Sequence, residues 1–306
     1  MTDDIEIPRT LAEATPLLKP RPLGLVPFQI RGQQLALQGA ESAVDTAIPV
    51  AADYYLGAIL DLPAADVPVT GGMLDSWGVD MAAVFAAARE NTAQDEAGVQ
   101  SFDAALVISG MPFAAAVLRD PAALAAFATE ATAVIIIPEP GTVLLGFAED
   151  DDSLNSLARA AEASLAGASR TVSAMPLIRS GDGWAPFEWP AEVAAPVGRL
   201  QRRWDSVQYA ASRPVLQETY RAAGDEAFVA ELVLAEGEGG AYATYATLMD
   251  MRTVVPRADM LVLSADDGRI SHVPFAEVAA MAGVLSPAPG TVPEYFVVDR
   301  FPVELI

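Results

Sequence analysis

The chain has no cysteine, one lysine (Lys19) and one histidine (His272) among its 306 residues. Without cysteine there are no disulfides, thiolate nucleophiles or zinc–thiolate sites, although the redox compartment stays open. Any metal centre would have to be built from carboxylates and a single imidazole, a poor donor set for zinc. Long apolar runs are missing as well. The stretches around Ala82–Ala88 and Ala131–Ile137 fall far short of the roughly 18 residues needed to span a bilayer. The opening MTDDIEIPRT is acidic and has no basic segment followed by an apolar one, so no signal peptide is expected. These absences point to a cytoplasmic protein with no membrane partner.

Basic residues are scarce, 18 against 41 acidic ones, and the formal net charge is −23. Such a chain repels phosphate backbones and anionic lipid surfaces, and no basic patch with interleaved aromatics offsets this. No nucleic-acid partner is expected. The same charge would attract a basic protein partner, while general colloidal repulsion explains it without one.

What is present is apolar. Hydrophobic residues make up 52% of the chain and charged ones 19%, on either side of the soluble average. Much of the excess is alanine, which supports helices but buries little area per residue. Large aliphatic and aromatic side chains must therefore carry the core.

Residues 1–44, with prolines at 8, 16, 20, 22 and 27, read as an extended N-terminal arm with a short strand near Leu35–Leu37. IPVAADYYLGAILDLP (48–63) reads as one strand, and VPVT as a short extended piece. Asp80 is placed to cap a helix carrying Val84, Phe85 and Ala88. Residues 92–100 read as a polar linker, ALVISG as a strand and MPFAAAVLRD as the segment that follows it. Asp120–Pro121 then starts another helix. AVIII and TVLLGF, joined by Pro138-Glu139-Pro140-Gly141, form a hairpin signal. Leu154, Leu157, Ala158, Ala161 and Leu165 recur at helical spacing. SAMPLIRSGDGWAPFEWP gives another hairpin around Gly-Asp-Gly. Pro190–Pro196 reads as a joint, followed by a helical stretch, 200–223, that Pro214 should divide in two. FVAELVLAEGEGGAYATYATL, ADMLVLSADDGR and EYFVVDRF supply later strands, with a short helix over 275–282.

Tight turns joining interspersed strands and helices argue for the α+β class, with largely antiparallel sheets and flanking helices. The expected division is an arm (1–44), an α+β lobe (45–190) and a second α+β lobe (191–306). Residues 137–150 and 255–267 share a pattern of branched residue, proline, turn, apolar strand and acidic exit. A structural repeat would make the two lobes similar. Chance convergence on a strand with an acidic exit accounts for the match as well.

Candidate chemistry is sparse. The carboxylates Glu149-Asp150-Asp151-Asp152 could hold a cation, but contiguous side chains diverge and no calcium-loop glycine follows. The structural reading is that Asp152 or Ser153 caps the helix while its neighbours favour the positive helix end. Asp266-Asp267-Gly268 reads as a turn. His272 has no GxSxG serine to serve, and on a strand the adjacent Ser271 points to the opposite face. SGDGW and EGEGGAY lack phosphate-loop spacing and read as hairpin turns. Trp184, Phe187 and Trp189 could line a groove or pack between lobes. No catalytic, cofactor-binding or metal-ligating set emerges, and no cofactor is implied.

One family resemblance attaches to residues 48–92. Leu74, Trp77, Gly78, Ala88 and Asn91 sit where the YtpQ-like bacterial proteins of unknown function carry a Leu–aromatic–Gly helix start and a helix closing in Ala-x-x-Asn. The chain resembles that family over about residues 45–190. It departs from it where the family's Pro-Thr-Arg-Asp is replaced by Pro138-Glu139-Pro140-Gly141. The resemblance implies an α+β fold and a cytoplasmic location, and it supplies no activity. Two functions therefore stand as expectations. One is a non-enzymatic protein that works by contact with a basic protein. The other is a small-molecule-binding protein or enzyme with a site between the two lobes.

Overall fold

Five prolines between residues 8 and 27 do not keep the start of the chain extended. The computed structural model describes residues 7–92, 97–128 and 132–306. It divides into two units, Met1–Leu200 and Gln201–Ile306. Helix α1 (Leu11–Ala14), strand β1 (Leu18–Gly24) and helix α2 (Leu25–Leu37) open the first unit. The expected arm is thus folded from residue 11 on, and residues 35–37 are the last turn of a helix. Residues 1–6 of that arm lie outside the described residues. Pro27 stands in the first turn of α2, where a backbone N–H has no intrahelical partner to lose. Pro20 and Pro22 lie on an edge strand bonded only to β3, the position where a sheet tolerates proline.

The expected single strand over 48–63 is two, β2 (Ala47–Ala51) and β3 (Tyr54–Leu62). The chain reverses between them with Ala52 at φ 49°. Strand β4 (Ala65–Pro68) also pairs with β3, giving a sheet in which β1 lies on one side of β3 and β2 and β4 on the other. Helix α3 (Gly71–Trp77) ends on Gly78 in the left-handed region, and α4 (Met81–Ala88) starts on Asp80, whose carboxylate accepts the Ala83 N–H. Just beyond α4, the Asn91 amide donates to the carbonyls of Thr15 and Leu18, pinning the entry to β1. Leu74 and Ala88 are buried in the core beneath.

Part of the expected linker at 92–100 is strand β5 (Gly98–Phe102), and residues 93–96 lie outside the described residues. Strand β6 (Ala105–Ser109) and helix α5 (Met111–Arg119) follow. Asp120 caps the next segment as expected, but only as a short 3-10 turn, Pro121–Leu124. The chain then folds back, and Phe127 packs edge-on to Phe113. The end of that expected helix, residues 129–130, is not among the described residues.

Strands β7 (Ala133–Glu139) and β8 (Thr142–Phe147) form the expected hairpin at the centre of a six-stranded sheet, together with β5, β6, β9 (Leu177–Ser180) and β10 (Gly183–Pro186). Ala133, Ile135 and Ile137 join one core, which includes α5 residues Val117 and Leu118. Val134 and Ile136 face the other way and are equally buried, on a strand packed against α6 (Asp151–Gly167). A central strand covered on both faces is a continuous apolar run, which is how the segment reads.

Helix α7 (Ala194–Ala222) runs unbroken through Pro214, against the expectation of two helices. Tyr209, Ser212 and Val215 form a buried face across the proline. Their packing outweighs the ~3 kcal/mol that an interior proline costs.

The second unit holds β11 (Phe228–Val229), β12 (Val233–Glu236), β13 (Tyr242–Met249), β14 (Thr253–Pro256), β15 (Met260–Ser264), β16 (Ile270–Pro274), α8 (Phe275–Ala279), β17 (Leu285–Pro287) and β18 (Tyr295–Val298). They build two four-stranded sheets, β11-β14-β18-β17 and β12-β13-β15-β16. Two pairs, β11·β14 and β13·β15, are parallel and the others antiparallel. The fold is α+β with largely antiparallel sheets. No helix among the described residues is long and apolar enough to cross a membrane. The two similar sequence stretches fold differently. Residues 137–150 form a hairpin and the cap of a helix, whereas β14 and β15 at 255–267 belong to different sheets.

Within the first unit, the β2–β3 turn meets the irregular segment between α6 and β9. The Ser173 hydroxyl lies 2.7 Å from both carboxylate oxygens of half-buried Asp53. Burial pushes the Asp53 carboxyl up to about 6, with the Ser173 hydrogen bond opposing. Its folded value therefore exceeds its unfolded one near 3.9. The stabilisation due to its protonation is complete below the unfolded value and is lost as pH rises through about 6. This carboxyl alone should lower stability by about 2 kcal/mol between pH 4 and 7.5. Asp53→Asn should flatten the pH dependence over that window and unfold at higher denaturant than wild type at pH 7.5. Denaturant melts across the pH series check this, and parallel curves for the two proteins would sink it.

Candidate functional site

The acidic run resolves into local structure. Asp150 caps α6, accepting the N–H groups of Asp152 and Ser153 at 3.0 and 3.1 Å, so neither Asp152 nor Ser153 is the cap. Asp150 keeps an extended backbone while Asp151 is already helical, which moves the cap earlier than the sequence suggests. Ser153 is drawn inward, its hydroxyl donating to the Ala104 carbonyl and accepting the Phe147 N–H. Glu149 accepts the Thr132 N–H, which holds its carboxyl below the usual range. Among the described residues no group of His, Asp and Glu is arranged to hold a metal ion.

The other sequence candidates also find structural places. His272 is exposed on β16, opposite Val262. The Gly-Asp-Gly and Gly-Glu-Gly-Gly stretches are turns joining β9 to β10 and β12 to β13, with Gly181 at φ 60° and Gly239 at φ 74°. Trp184 packs into the core of the first unit and donates its indole N–H to Val117 O at 2.9 Å. Phe187 and Trp189 meet edge to face at 5.8 Å.

Two carboxyls in the second unit are driven apart in the manner of an acid–base pair. Burial pushes Asp205 up to about 6, aided by the charge of Asp259 and opposed by Arg202 and Arg257. Burial acts against ionisation of Asp259 too, but hydrogen bonds from Arg202 and Thr244 outweigh it and hold this carboxyl low. Both oxygens of Asp259 are occupied: Arg202 grips them at 2.8 and 2.9 Å, and Thr244 adds its N–H and hydroxyl. This is a lock between β13 and the entry to β15.

The site that remains is a cavity of about 480 Å³ in the first unit. Its floor is a short backbone pairing in which Asp45 faces Thr70, Thr46 N bonds Val69 O, and Gly71 N reaches Val44 O. Helix α3 supplies Met73, Ser76 and Trp77 to the wall, β4 supplies Val67, and α2 supplies Arg31. Two wall groups are already engaged. Thr70 accepts the Met73 N–H as the cap of α3, and the Trp77 indole N–H donates to Pro8 O at 3.0 Å.

Charge gathers beside this cavity. Burial raises the Asp45 carboxyl above its usual value, with Arg31 and Arg21 pulling it back. Arg21 sits on β1 with its Nε buried and unpartnered. Burial lowers its affinity for the proton, nearby Arg170 lowers it further, and Asp45 and Asp66 oppose. Arg170 itself pairs with Asp66 at 3.4 Å. Buried guanidinium nitrogens nearly always find a partner, and among the described residues Arg21 and Arg203 each have a buried Nε without one.

Sequence reasoning passed over Arg21, Arg31, Asp45 and Met73, and it picked out Trp77 only through the family resemblance. The usable signal was LKPRPL, whose alternating pattern places Lys19 and Arg21 on one face of a strand and Leu18, Pro20 and Pro22 on the other. A second recess of about 580 Å³, between α4 and the end of α5, carries Arg89, Arg119, Asp120 and Asp182. Asp120 there is already spent on a cap. Comparison with protein-family models, curated proteins and solved structures gives no match.

The environment of Arg21 disfavours its charge, and the side chain is partly screened. Arg21→Met keeps the apolar stem and removes the cation. It should raise stability by about 0.5 kcal/mol, or roughly 1–2 °C in melting temperature. Calorimetry decides this, and a lower melting temperature for the variant would contradict the reading.

Proposed function

We propose that this chain is a small-molecule-binding protein whose site is the Arg31–Asp45–Trp77 cavity within residues 7–77, and not a cleft between two lobes. The observation that carries this reading is Arg21, a half-buried guanidinium whose Nε has no partner, next to the Asp45 carboxylate that lines the cavity. Uncompensated polar groups of this kind concentrate at binding sites, where stability yields to function. The volume falls in the range of ordinary ligand sites. A cytoplasmic location and kinship with the YtpQ-like family belong to the same proposal, and neither adds an activity to it. A thermal-shift screen of small metabolites tests the reading, with Ser76→Phe as a variant that places a ring at the exposed cavity wall. Some compounds should stabilise the wild type and lose most of their effect in the variant. Equal shifts in both proteins, or none in either, would remove the site.

A second reading has its own support. Residues 1–200 carry 26 acidic and 10 basic residues. In the second unit seven of the eight arginines are paired with carboxylates of that unit. The acidic excess thus sits mainly in the first unit, where it could receive a basic protein surface. Association with a polyarginine peptide should then weaken steeply between 50 and 300 mM salt. A salt-independent affinity, or none at low salt, counts against this partner.

A further inference from the structure

Among the described residues the charges around the cavity do not balance. Arg170 and Asp66 neutralise each other. That leaves the guanidiniums of Arg21 and Arg31 acting on one carboxylate, Asp45. A surplus of one positive charge beside an apolar wall stands out in a chain of net charge −23. The remaining chemistry of the wall is also one-sided. The Trp77 indole is engaged and Thr70 has accepted the Met73 N–H, so the side-chain donors left to meet a ligand head are the Arg31 guanidinium and the hydroxyls of Ser76 and Thr70, beside the Asp45 carboxylate. Met73, Val67 and the ring of Trp77 offer it only apolar surface.

We infer that the cavity binds a small organic monoanion, a carboxylate seated on Arg31 and carried by an apolar body that lies on Trp77 and Met73. Arg21 acts from behind as the charge that offsets Asp45. A dianionic phosphate ester would bring one negative charge too many against Asp45, and an ammonium head would face two guanidiniums. A neutral alcohol would leave the surplus charge uncompensated. This inference rests on the cavity being a ligand site, and it adds the class of ligand.

The test uses the full chain and three probes of similar size: 3-phenylpropionate, 3-phenylpropanol and phenyl phosphate. Calorimetric titration should show saturable binding of the carboxylate, with the alcohol and the phosphate weaker by about tenfold or more. Arg31→Met, a change at an exposed side chain, should weaken the carboxylate by about tenfold, and Arg119→Met on α5 should leave it unchanged. Tryptophan fluorescence should respond to the carboxylate in the wild type and not in Trp77→Phe. Equal affinity for the alcohol or phosphate, or no loss in Arg31→Met, overturns the monoanion assignment while leaving the cavity as a site. Failure of all three probes overturns it as well. If the metabolite screen also finds no compound that depends on Ser76, the site reading falls with it.

Discussion

The first unit is organised around the hydroxyl of Tyr54, which is wholly buried and bonded on both sides. It donates to the Met175 carbonyl at 2.7 Å and accepts the Ile137 N–H at 3.1 Å. The Ile137 carbonyl accepts the Ser173 N–H, so the backbone groups of this residue turn away from β8 toward the segment that follows α6. A buried N–H without an acceptor costs on the order of 1–3 kcal/mol, and the phenol supplies the acceptor that this side of β7 would otherwise lack. Tyr54 begins β3 and Ile137 lies on β7, so this contact fixes one sheet of the unit against the other. The surrounding chain tightens the same junction. Leu25 N bonds Asp53 O at 2.7 Å. At Gly24 a Cβ atom would lie 1.8 Å from the Val172 carbonyl oxygen, leaving no room for any side chain.

With that junction fixed, the remaining strand positions of the first sheet follow. The buried face of β1, Leu18, Pro20, Pro22 and Gly24, packs inward, and alternation places Lys19 and Arg21 on the opposite face. Lys19 finds Asp61 on β3 at 2.7 Å. Arg21, directly across from Gly57, finds no such partner, and Leu23 fills the space above that glycine. The strand cannot slip by one residue to relieve it, because a slip would turn Leu18 outward and Lys19 into the core. The unpartnered Nε of Arg21 is thus a consequence of a register that the core demands.

Much of the fold was legible where one local rule sufficed. Asp80 before an alanine-rich run, Pro-Glu-Pro-Gly between two aliphatic runs, and the leucine spacing from 154 to 165 each specify an element through capping, turn chemistry or periodicity. The reading failed where proline was taken as a break without regard to position. Pro27 lies in a first turn, Pro20 and Pro22 on a sheet edge, and Pro214 under a buried helical face, and none of these interrupts its element. The cavity was illegible for a different reason. Arg31, Asp45, Val67 and Trp77 come from four separate segments with no motif spacing. Only the pairing of 44–46 with 69–71 brings them together.

The acidic exits that first suggested a repeat show why similar sequence need not mean similar structure. At 150 a carboxylate after a strand meets the N–H groups that open a helix. At 267 the same residue type accepts the Arg269 N–H and stacks its charge on that arginine, closing a turn between two strands. One chemical property, a short side chain with strong acceptors, satisfies whichever backbone donors the strand leaves unpaired. The same logic governs the charge of the molecule. Most carboxylates near a guanidinium are consumed locally, so the net charge is a diffuse field that salt screens over about 8 Å. At the cavity wall the charges of Arg31 and Arg21 act directly on Asp45. On the proposed reading a single anion is held in a protein whose overall field repels it, and that opposition favours ligands with an apolar body to bury.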